Sequence, residues 1–425
     1  MLANITNTSE LVAVNDEDQQ GYGFAMVAMT TLFFLWGFIT VLNDILIPQL
    51  KAAFELNYTQ AMLIQFCFFG AYFITSIPAG ALVKRIGYKN GVIAGLIVGS
   101  LGCMMFYPAA AIHQYWLFLC ALFVLASGIT ILQVSANPYV AALGPTKTAS
   151  SRLNLAQALN SLGTTIAPSI GGLLFFASTA TLATEAASAE AVKVPYLLLA
   201  SFMIVIAIVF FFLKLPTLNF ENDGKATQVE QRSIWQAKHT TFGALAIFFY
   251  VGAEVSIGSF IVNYLGEDSI ARMNENDAAK MLTYYWGGAM IGRFIGAYLM
   301  RYIQPSVMLA FNCIAIAILL VTTINSTGNI AVWSILAVGL FNSIMFPTIF
   351  TLAIEQLKGL TSRGSGLLCL AIVGGAIVPI LQGGVADYWN IQLSFWVPMS
   401  CYFFIFWYAR NVKHFTKAWS STHEK

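Results

Sequence analysis

The stretch between Tyr115 and Leu143 reads YWLFLCALFVLASGITILQVSANPYVAAL and contains no Asp, Glu, Lys or Arg. A helix needs about 20 consecutive apolar residues to cross the hydrocarbon core of a bilayer. The run is continuously apolar, whereas the strands of a membrane barrel alternate between apolar and polar residues. The stretch therefore predicts a transmembrane helix.

Eleven further stretches are also predominantly apolar and long enough to cross a bilayer, five in the rest of the first half of the chain and six in the second half. The twelve predicted segments are Phe24–Pro48, Gln60–Val83, Gly91–Ala111, Tyr115–Leu143, Leu153–Ser178, Pro195–Leu213, Thr241–Leu265, Ala278–Met300, Val307–Ile324, Ile330–Gln356, Gly366–Ala386 and Leu393–Tyr408. The sequence thus predicts an all-α integral membrane protein with twelve transmembrane helices.

The composition of the chain agrees with a membrane location. Of its 425 residues, 58% are hydrophobic and 9% are charged, whereas a soluble domain carries about 25% charged residues. The lipid bilayer must therefore cover much of the surface. The net charge of +2 gives no reason to expect a nucleic-acid partner. The acidic N-terminus lacks the basic start of a signal peptide, so we expect the first segment to be retained.

Several function classes lack their usual motifs. The six cysteines lie within apolar runs and form no CxxC pair, and the four histidines show no HExxH spacing. We therefore expect no metal site and no cofactor. A phosphate-binding loop of the GxxxxGK type is also missing, which argues against an ATP-driven pump.

The basic residues predict the topology. With a cytoplasmic N-terminus, the external loops keep Lys51, Lys193, Arg272 and Lys280. The cytoplasmic side then holds the basic residues of the C-terminal tail together with Lys84, Arg85, Lys89, Lys147, Arg152, Lys214, Lys225, Arg232, Lys238, Arg301, Lys358 and Arg363. Because cytoplasmic loops carry the excess of Lys and Arg, we expect both termini in the cytoplasm and the protein in the inner (plasma) membrane.

The two halves of the chain repeat each other. Arg152 is followed sixteen positions later by Pro168, and Arg363 sixteen positions later by Pro379. Proline also recurs in the fourth and tenth segments, in Asn137-Pro138-Tyr139 and Phe346-Pro347-Thr348. Two similar halves with a binding site between them are the plan of many secondary transporters.

This repetition predicts two pseudo-symmetric six-helix halves. They comprise residues 24–213 and 241–408, joined by a cytoplasmic linker at 214–240. Cytoplasmic tails at 1–23 and 409–425 complete the chain. We expect a monomer.

Two carboxylates within predicted helices are candidates for coupling, because ionisable groups at membrane depth are costly and usually face a cavity or a partner. Asp44 is near the outer end of the first segment and Glu254 is in the middle of the seventh. We predict that both serve coupling, by taking up a cation, and that Glu254 also contacts substrate. The alternatives are that Asp44 is solvated at the helix end and that Glu254 is a structural partner of Arg293.

Amides inside helices are candidates for binding a polyhydroxylated solute, because each can donate and accept hydrogen bonds. Tryptophan can stack on the face of a sugar ring, and we assign Trp286 to this role. Gln157 and Asn160 share a helix face. The alternative for any amide is hydrogen bonding between helices. The predicted amide ligands are Asn43, Gln65, Gln133, Asn137, Gln157, Asn160 and Asn342.

Five motifs in chain order carry a resemblance to a known family. They are Leu42-Asn43-Asp44-Ile45-Leu46-Ile47-Pro48-Gln49, Ala136-Asn137-Pro138-Tyr139-Val140, Arg152-Leu153-Asn154-Leu155-Ala156-Gln157, Tyr250-Val251-Gly252-Ala253-Glu254 and Phe346-Pro347-Thr348-Ile349-Phe350. With twelve helices in two halves, the chain resembles the major facilitator superfamily. Within it, the chain is similar to the fucose–proton symporter family, and to its glucose/galactose transporter branch most of all.

The resemblance implies a sugar site between the halves and alternating access. It also implies a carboxylate at Asp44, which is present. The fucose symporter has a Glu at the position of Gln133 and a Gln at the position of Glu254. One carboxylate has therefore changed halves, which argues against fucose as the substrate and leaves H⁺ and Na⁺ open as the coupling ion.

The leading hypothesis is a cation-coupled hexose symporter. A passive sugar facilitator, in which Asp44 only binds sugar, is the first alternative. A membrane sugar sensor would carry an added soluble domain, which the short tails do not provide. An enzyme would need a nucleophile–base pair or a metal cluster at membrane depth, so we expect no enzymatic activity.

Overall fold

A computed structural model describes residues 23–39, 58–112, 114–176, 193–216 and 233–421. The described residues contain a helix at each of the twelve predicted segments and no strand. The predicted all-α fold with twelve membrane segments is therefore confirmed.

The helices of the first half are α1 to α6, and those of the second half are α7 to α12. The first set is Gly23–Ile39, Tyr58–Ile86, Tyr88–Ile112, Tyr115–Ala142, Ala149–Phe176 and Lys193–Phe212. The second set is Lys238–Gly266, Glu275–Leu299, Pro305–Asn325, Gly328–Ile354, Lys358–Tyr388 and Trp396–Ser421.

Two helices of the second half are interrupted. In α10, the segments Gly328–Asn342 and Met345–Ile354 are separated by a turn at Ser343 and Ile344. In α11, a 3₁₀ turn at Ala371–Val373 separates two α-helical parts. The break in α10 precedes Pro347, whose ring cannot donate a hydrogen bond to the carbonyl four residues earlier.

The last helix is longer than its apolar segment, which ended at Tyr408 in the sequence. It continues to Ser421 because Val412, Thr416 and Trp419 extend the buried stripe at helical spacing. The Trp419 Nε1 donates a hydrogen bond to the carbonyl of Gln356, 3.1 Å away. The first part of the predicted C-terminal tail is thus a helix packed on the end of α10.

The helices α5 and α8 pack on each other across the two halves. Neither is among the seven described helices that are long and apolar enough to cross a membrane by hydropathy alone. Their polar residues face the boundary between the halves. Ser151 of α5 donates to the carbonyl of Ala297 in α8, and Asn154 approaches Met300. Two of the less apolar helices of the bundle therefore meet at the boundary between the halves.

The halves are in contact on the side where α6 ends and α7 begins, which we call the linker side. There α2 crosses α11 so closely that a Cβ on Gly80 would lie 2.7 Å from the carbonyl oxygen of Ser362. A Cβ on Gly366 would lie equally close to the carbonyl oxygen of Ser76. The Tyr88 and Ser362 hydroxyls are 3.0 Å apart. The described part of the bundle is thus closed on its linker side.

Candidate functional site

An ion pair lies at the middle of the second half. The carboxylate of Glu254 in α7 is 3.9 Å from the guanidinium of Arg293 in α8, and each side chain is about 15% exposed. Pairing offsets part of the cost of holding each charge at membrane depth. The predicted alternative for Glu254, a partnership with Arg293, is therefore realised.

Arg293 also connects this pair to the first half. Its Nε donates to the carbonyl of Ser343 in α10 at 3.0 Å. Its Nη1 contacts the hydroxyl of Ser161 in α5. One guanidinium thus links three helices of the second half to a helix of the first half, next to a carboxylate that can bind a proton.

Tight packing of α7 on α11 fixes the position of Glu254. A Cβ on Gly252 would lie 2.3 Å from the side chain of Val378 and 3.0 Å from the carbonyl oxygen of Gly374. Glycine therefore allows the two backbones to approach. The carboxylate two residues later then points towards α8 rather than into lipid, as its contact with Arg293 shows.

A buried network of tyrosines and one amide lies beside the ion pair. The Nδ2 of Asn342 donates to the hydroxyl of Tyr285 at 3.0 Å, and the hydroxyl of Tyr402 donates to Asn342 Oδ1 at 2.7 Å. The fully buried hydroxyl of Tyr250 has no hydrogen bond of normal geometry within the described residues, although it interacts with the Glu254 carboxylate. Asn342, predicted as a sugar ligand, is thus used to join α8, α10 and α12.

Two predicted amides of α4 have hydrogen-bonding capacity left over. Gln133 donates from Nε2 to the hydroxyl of Tyr72 at 2.7 Å, but its buried Oε1 has no partner in the described part of the chain. Both amide atoms of Asn137 are buried and unpartnered there as well. Buried polar groups are nearly always hydrogen-bonded, so these atoms are candidates for contact with a polar ligand or water.

The amides of α5 divide into two roles. Asn160 donates from Nδ2 to the carbonyl of Phe33 in α1 at 2.9 Å, so its amide nitrogen joins two helices of the first half. Gln157, one turn earlier, is 7% exposed, and its side chain makes no hydrogen bond to the described residues. Of this predicted pair, Gln157 is therefore the one free to bind a solute.

The remaining predicted residues are Trp286, Asn43, Asp44 and Gln65. Trp286 is 42% exposed and packs edge-on against Tyr285, with ring centroids 5.0 Å apart. Asn43 and Asp44 lie outside the described residues, as does the side chain of Gln65. The described structure therefore brings Glu254 and Asn342 into one cluster and places Gln133 and Asn137 on α4.

Sequence reasoning missed the tyrosines of the site. Tyr72, Tyr250, Tyr285 and Tyr402 are all at most 2% exposed, although each carries a hydroxyl. Their position inside predicted membrane helices was visible, and a buried tyrosine needs a polar partner. That signal could have paired them with the intrahelical amides.

The chain is similar in sequence to known membrane transporters. The model of the Major Facilitator Superfamily matches residues 25–372. A glucose/galactose transporter of Brucella abortus (strain 9-941) is 57% identical over 96% of this chain and 98% of its own length. The L-fucose-proton symporter of Escherichia coli (strain K12) is 36% identical over 92% and 93% of the two chains.

A solved structure agrees with these relatives. The FucP transporter in its outward conformation superposes with a TM-score of 0.85 at 34% identity, covering 92% of this chain and 99% of the other. The match extends over both halves, since it covers 92% of this chain. The chain therefore belongs to the Major Facilitator Superfamily, in the group of the glucose/galactose transporters and L-fucose–proton symporters, and it is a transporter rather than an enzyme.

Proposed function

We propose that this protein is a proton-coupled symporter of a neutral hexose, of the glucose or galactose kind, and that it works by alternating access. The observation that carries the proposal is the buried amide oxygen of Gln133, which has no partner in the described part of the chain while its nitrogen is held by Tyr72. A sugar hydroxyl can donate to such an oxygen without bringing a charge into the membrane.

The amides of the first half suit a neutral ligand. Gln133 and Gln157 offer amide groups on two helices of the first half, and neither is committed fully to other described helices. Asn137, one helical turn after Gln133 in α4, offers two further side-chain atoms without a hydrogen-bond partner among the described residues. A site made of amides can bind several hydroxyls and select by their geometry.

Sequence similarity supports the substrate class. The Brucella relative, named a glucose/galactose transporter, is 57% identical over nearly the whole length of both chains. The family resemblance implies that the fucose symporter has Glu and Gln at the positions of Gln133 and Glu254, and this exchange is our reason to favour glucose or galactose over fucose. Which hexose binds best depends on the arrangement of the amides around it.

We propose the proton as the coupling ion, because the similar E. coli protein is named an L-fucose-proton symporter. In this chain, Asp44 is the first candidate for proton uptake and Glu254 the second. Protonating Glu254 would remove the charge that attracts Arg293, 3.9 Å away. Because Arg293 also contacts Ser161 of the other half, the state of this carboxyl can bias the contact between the halves.

The membrane arrangement is part of the proposal. The basic residues favour an inner-membrane protein with both termini and the 214–240 linker in the cytoplasm, and we propose that it works as a monomer. In that orientation the linker side is the cytoplasmic side. The closed linker side then corresponds to an outward-facing state, in which sugar and proton enter from outside.

Binding of radiolabelled sugars to the purified protein tests the substrate class. We expect saturable binding of D-glucose or D-galactose that exceeds L-fucose binding. Gln157→Ala should weaken it roughly 5- to 150-fold, since a buried hydrogen bond to a ligand is worth about 1–3 kcal/mol. Asn411→Ala, an exposed amide of α12, is the matched control. Absence of binding by any hexose, or unchanged affinity in Gln157→Ala, would contradict this site.

A further inference from the structure

Two prolines lie within inner helices at corresponding places in the two halves: Pro138 in α4 and Pro347 in α10. Proline has no backbone N–H, so the carbonyl four residues earlier receives no helical hydrogen bond. The two carbonyls freed in this way are those of Val134 and Ser343. A buried carbonyl without a donor is costly, so each needs a donor from elsewhere in the protein.

The first of these carbonyls is satisfied by the opposite half. The Ser365 hydroxyl of α11 donates to the Val134 carbonyl oxygen at 2.9 Å, and both groups are buried. Ser365 is next to Gly366, where the backbones of α2 and α11 are in contact. The hydrogen bond therefore lies inside the contact that closes the linker side.

The second carbonyl, that of Ser343, also accepts a hydrogen bond from a side chain. The Arg293 Nε donates to the Ser343 carbonyl oxygen at 3.0 Å, and the same guanidinium contacts Ser161 of the first half. In both halves, therefore, a proline-freed carbonyl binds a side chain that takes part in contacts between the halves. Of the two, the Ser365 bond crosses the boundary directly.

We propose that Ser365 is a positioning residue of the transport cycle: its hydroxyl latches the closed linker side by occupying the carbonyl that Pro138 leaves free. The inference rests on the proposed alternating access. When the halves separate on this side, the Ser365 bond must break, and water entering the opened space takes over the Val134 carbonyl. The latch thus favours the closed state without leaving the carbonyl unsatisfied in the open one.

The size of the effect follows from the type of bond. A neutral hydrogen bond that is exchanged for one to water contributes modestly, so removing it should change the ratio of closed to open molecules roughly two- to tenfold. That is enough to alter turnover without unfolding the protein. A latch much stronger than this would hold the transporter in one state.

The test measures the distance between the halves with two spin labels on the linker side. Lys147→Cys in the loop before α5 and Tyr302→Cys after α8 are exposed sites on opposite halves. They are introduced into full-length protein in which Cys120, an exposed native thiol, is replaced by Ser. Double electron–electron resonance in detergent then gives the fractions of molecules with a short and with a long distance between the two labels. The measurement needs no sugar.

Four proteins form a double-mutant cycle: the labelled parent, Ser365→Ala, Pro138→Ala and the double variant. We expect Ser365→Ala to raise the long-distance fraction roughly two- to tenfold in the parent. Alanine at position 138 supplies the missing N–H to the Val134 carbonyl, so Ser365→Ala should then have no further effect. An equal shift in both backgrounds, or no shift in either, would overturn the latch.

A second pair of variants isolates the hydroxyl should Pro138→Ala fail to fold. Ser365→Thr keeps the donor and should keep the parent distance distribution, whereas the equally branched Ser365→Val should behave like Ser365→Ala. Equal behaviour of Thr and Val would refute the hydroxyl's role. Ser400→Ala, on an exposed face of α12, is the silent control. Failure of the parent to move any sugar would contradict the proposed function instead, and it is measured separately.

The latch also predicts a kinetic signature in proteoliposomes. Ser365→Ala should change kcat for sugar uptake more than KM, because the proposal assigns Ser365 to the contact between the halves and not to the sugar or proton site. Ser365→Thr should restore the parent value. A change confined to KM would place Ser365 in the binding site and contradict its role as a latch.

Discussion

At the scale of single residues, Arg293 organises the site. Its guanidinium satisfies the freed carbonyl of Ser343, pairs with Glu254 and reaches Ser161 across the boundary. The sequence located Arg293 and Glu254 as charges within helices, because such residues stand out in apolar runs. It could not indicate Ser161, since a serine in a membrane helix usually bonds to its own backbone.

Removing the carboxylate tests how far the pair stabilises the fold. Glu254→Gln leaves the Arg293 charge unpaired, and we expect a loss of about 1–3 kcal/mol in the free energy of unfolding. This is below the roughly 3–5 kcal/mol of a fully buried pair, because both side chains keep some exposure. Thermal unfolding in detergent measures the loss. The double variant Glu254→Gln/Arg293→Met should recover part of it; a double variant less stable than the single one would contradict the pairing.

A second carboxyl should make stability depend on pH. Glu355 lies between α10 and α11, and burial raises its pKa despite the opposing charge of Lys413. A carboxyl whose folded pKa is raised stabilises the fold while protonated and loses that contribution as the pH rises through the folded pKa. Glu355→Gln should therefore be more stable than the parent at about pH 8, with the difference shrinking as the pH falls towards the ordinary Glu range.

Thermal unfolding between about pH 4.5 and pH 8 measures this dependence. The exposed Glu267→Gln is the control and should follow the parent curve. A constant offset between Glu355→Gln and the parent, or one that grows on acidification, would contradict the proposed cause.

At the scale of elements, glycines at every fourth position explain the packing of two helices: they occur at 91, 95 and 99 in α3 and at 288, 292 and 296 in α8. A Cβ on Gly95 of α3 would lie 2.8 Å from the backbone nitrogen of Leu132 in α4. A Cβ on Gly292 of α8 would lie 2.3 Å from the carbonyl oxygen of Leu340 in α10. Small residues at this spacing let helices approach closely, and these contacts show both helices using it in that way.

A pair of substitutions in α8 tests this packing. Gly292→Ala should cost about 1–3 kcal/mol, because its new methyl group meets the backbone of α10, which cannot move without separating the helices. Gly287→Ala is the matched control, since no atom lies within 4 Å of the place that its Cβ would take. Chemical denaturation in mixed micelles compares the two. Equal stabilities would show that α8 and α10 can separate freely.

The hydropathy pattern located the helices well and their interruptions poorly. A run such as that of α10 is apolar throughout, so its composition does not show the turn at Ser343 and Ile344. Pro347 was visible, but where a proline-containing helix breaks depends on which neighbour satisfies the freed carbonyl, and here that neighbour is Arg293. Likewise the amides were visible, whereas their division between Gln157 and Asn342 depends on tertiary contacts.

At the scale of the whole molecule, the closed linker side is made from neutral groups and small residues. Ser150 and Thr351 hydroxyls are 2.6 Å apart across the boundary, and Ser365 reaches Val134. Such contacts are individually weak and are replaced readily by water. A boundary of this kind suits a protein whose halves must separate and meet again in each cycle.

The orientation in the membrane is tested by labelling. A cysteine at Gln228, within the 214–240 linker, should be inaccessible to an impermeant maleimide added to intact cells and should react after the membrane is opened. A cysteine at Arg272, in the short loop between α7 and α8, is the positive control: it is predicted to lie outside and should react in intact cells. Labelling of position 228 in intact cells would contradict the predicted topology.

The most direct test of the proposed symport is accumulation of labelled hexose in proteoliposomes, with pH and Na⁺ gradients imposed separately on the parent and on Asp44→Asn. We expect an acid-outside gradient to drive the parent above the equilibrium sugar level, while Na⁺ alone does not. Asp44→Asn should bind or exchange sugar and fail to accumulate it. Equilibration without accumulation in the parent would contradict coupled transport, and full accumulation by Asp44→Asn would contradict the role of Asp44.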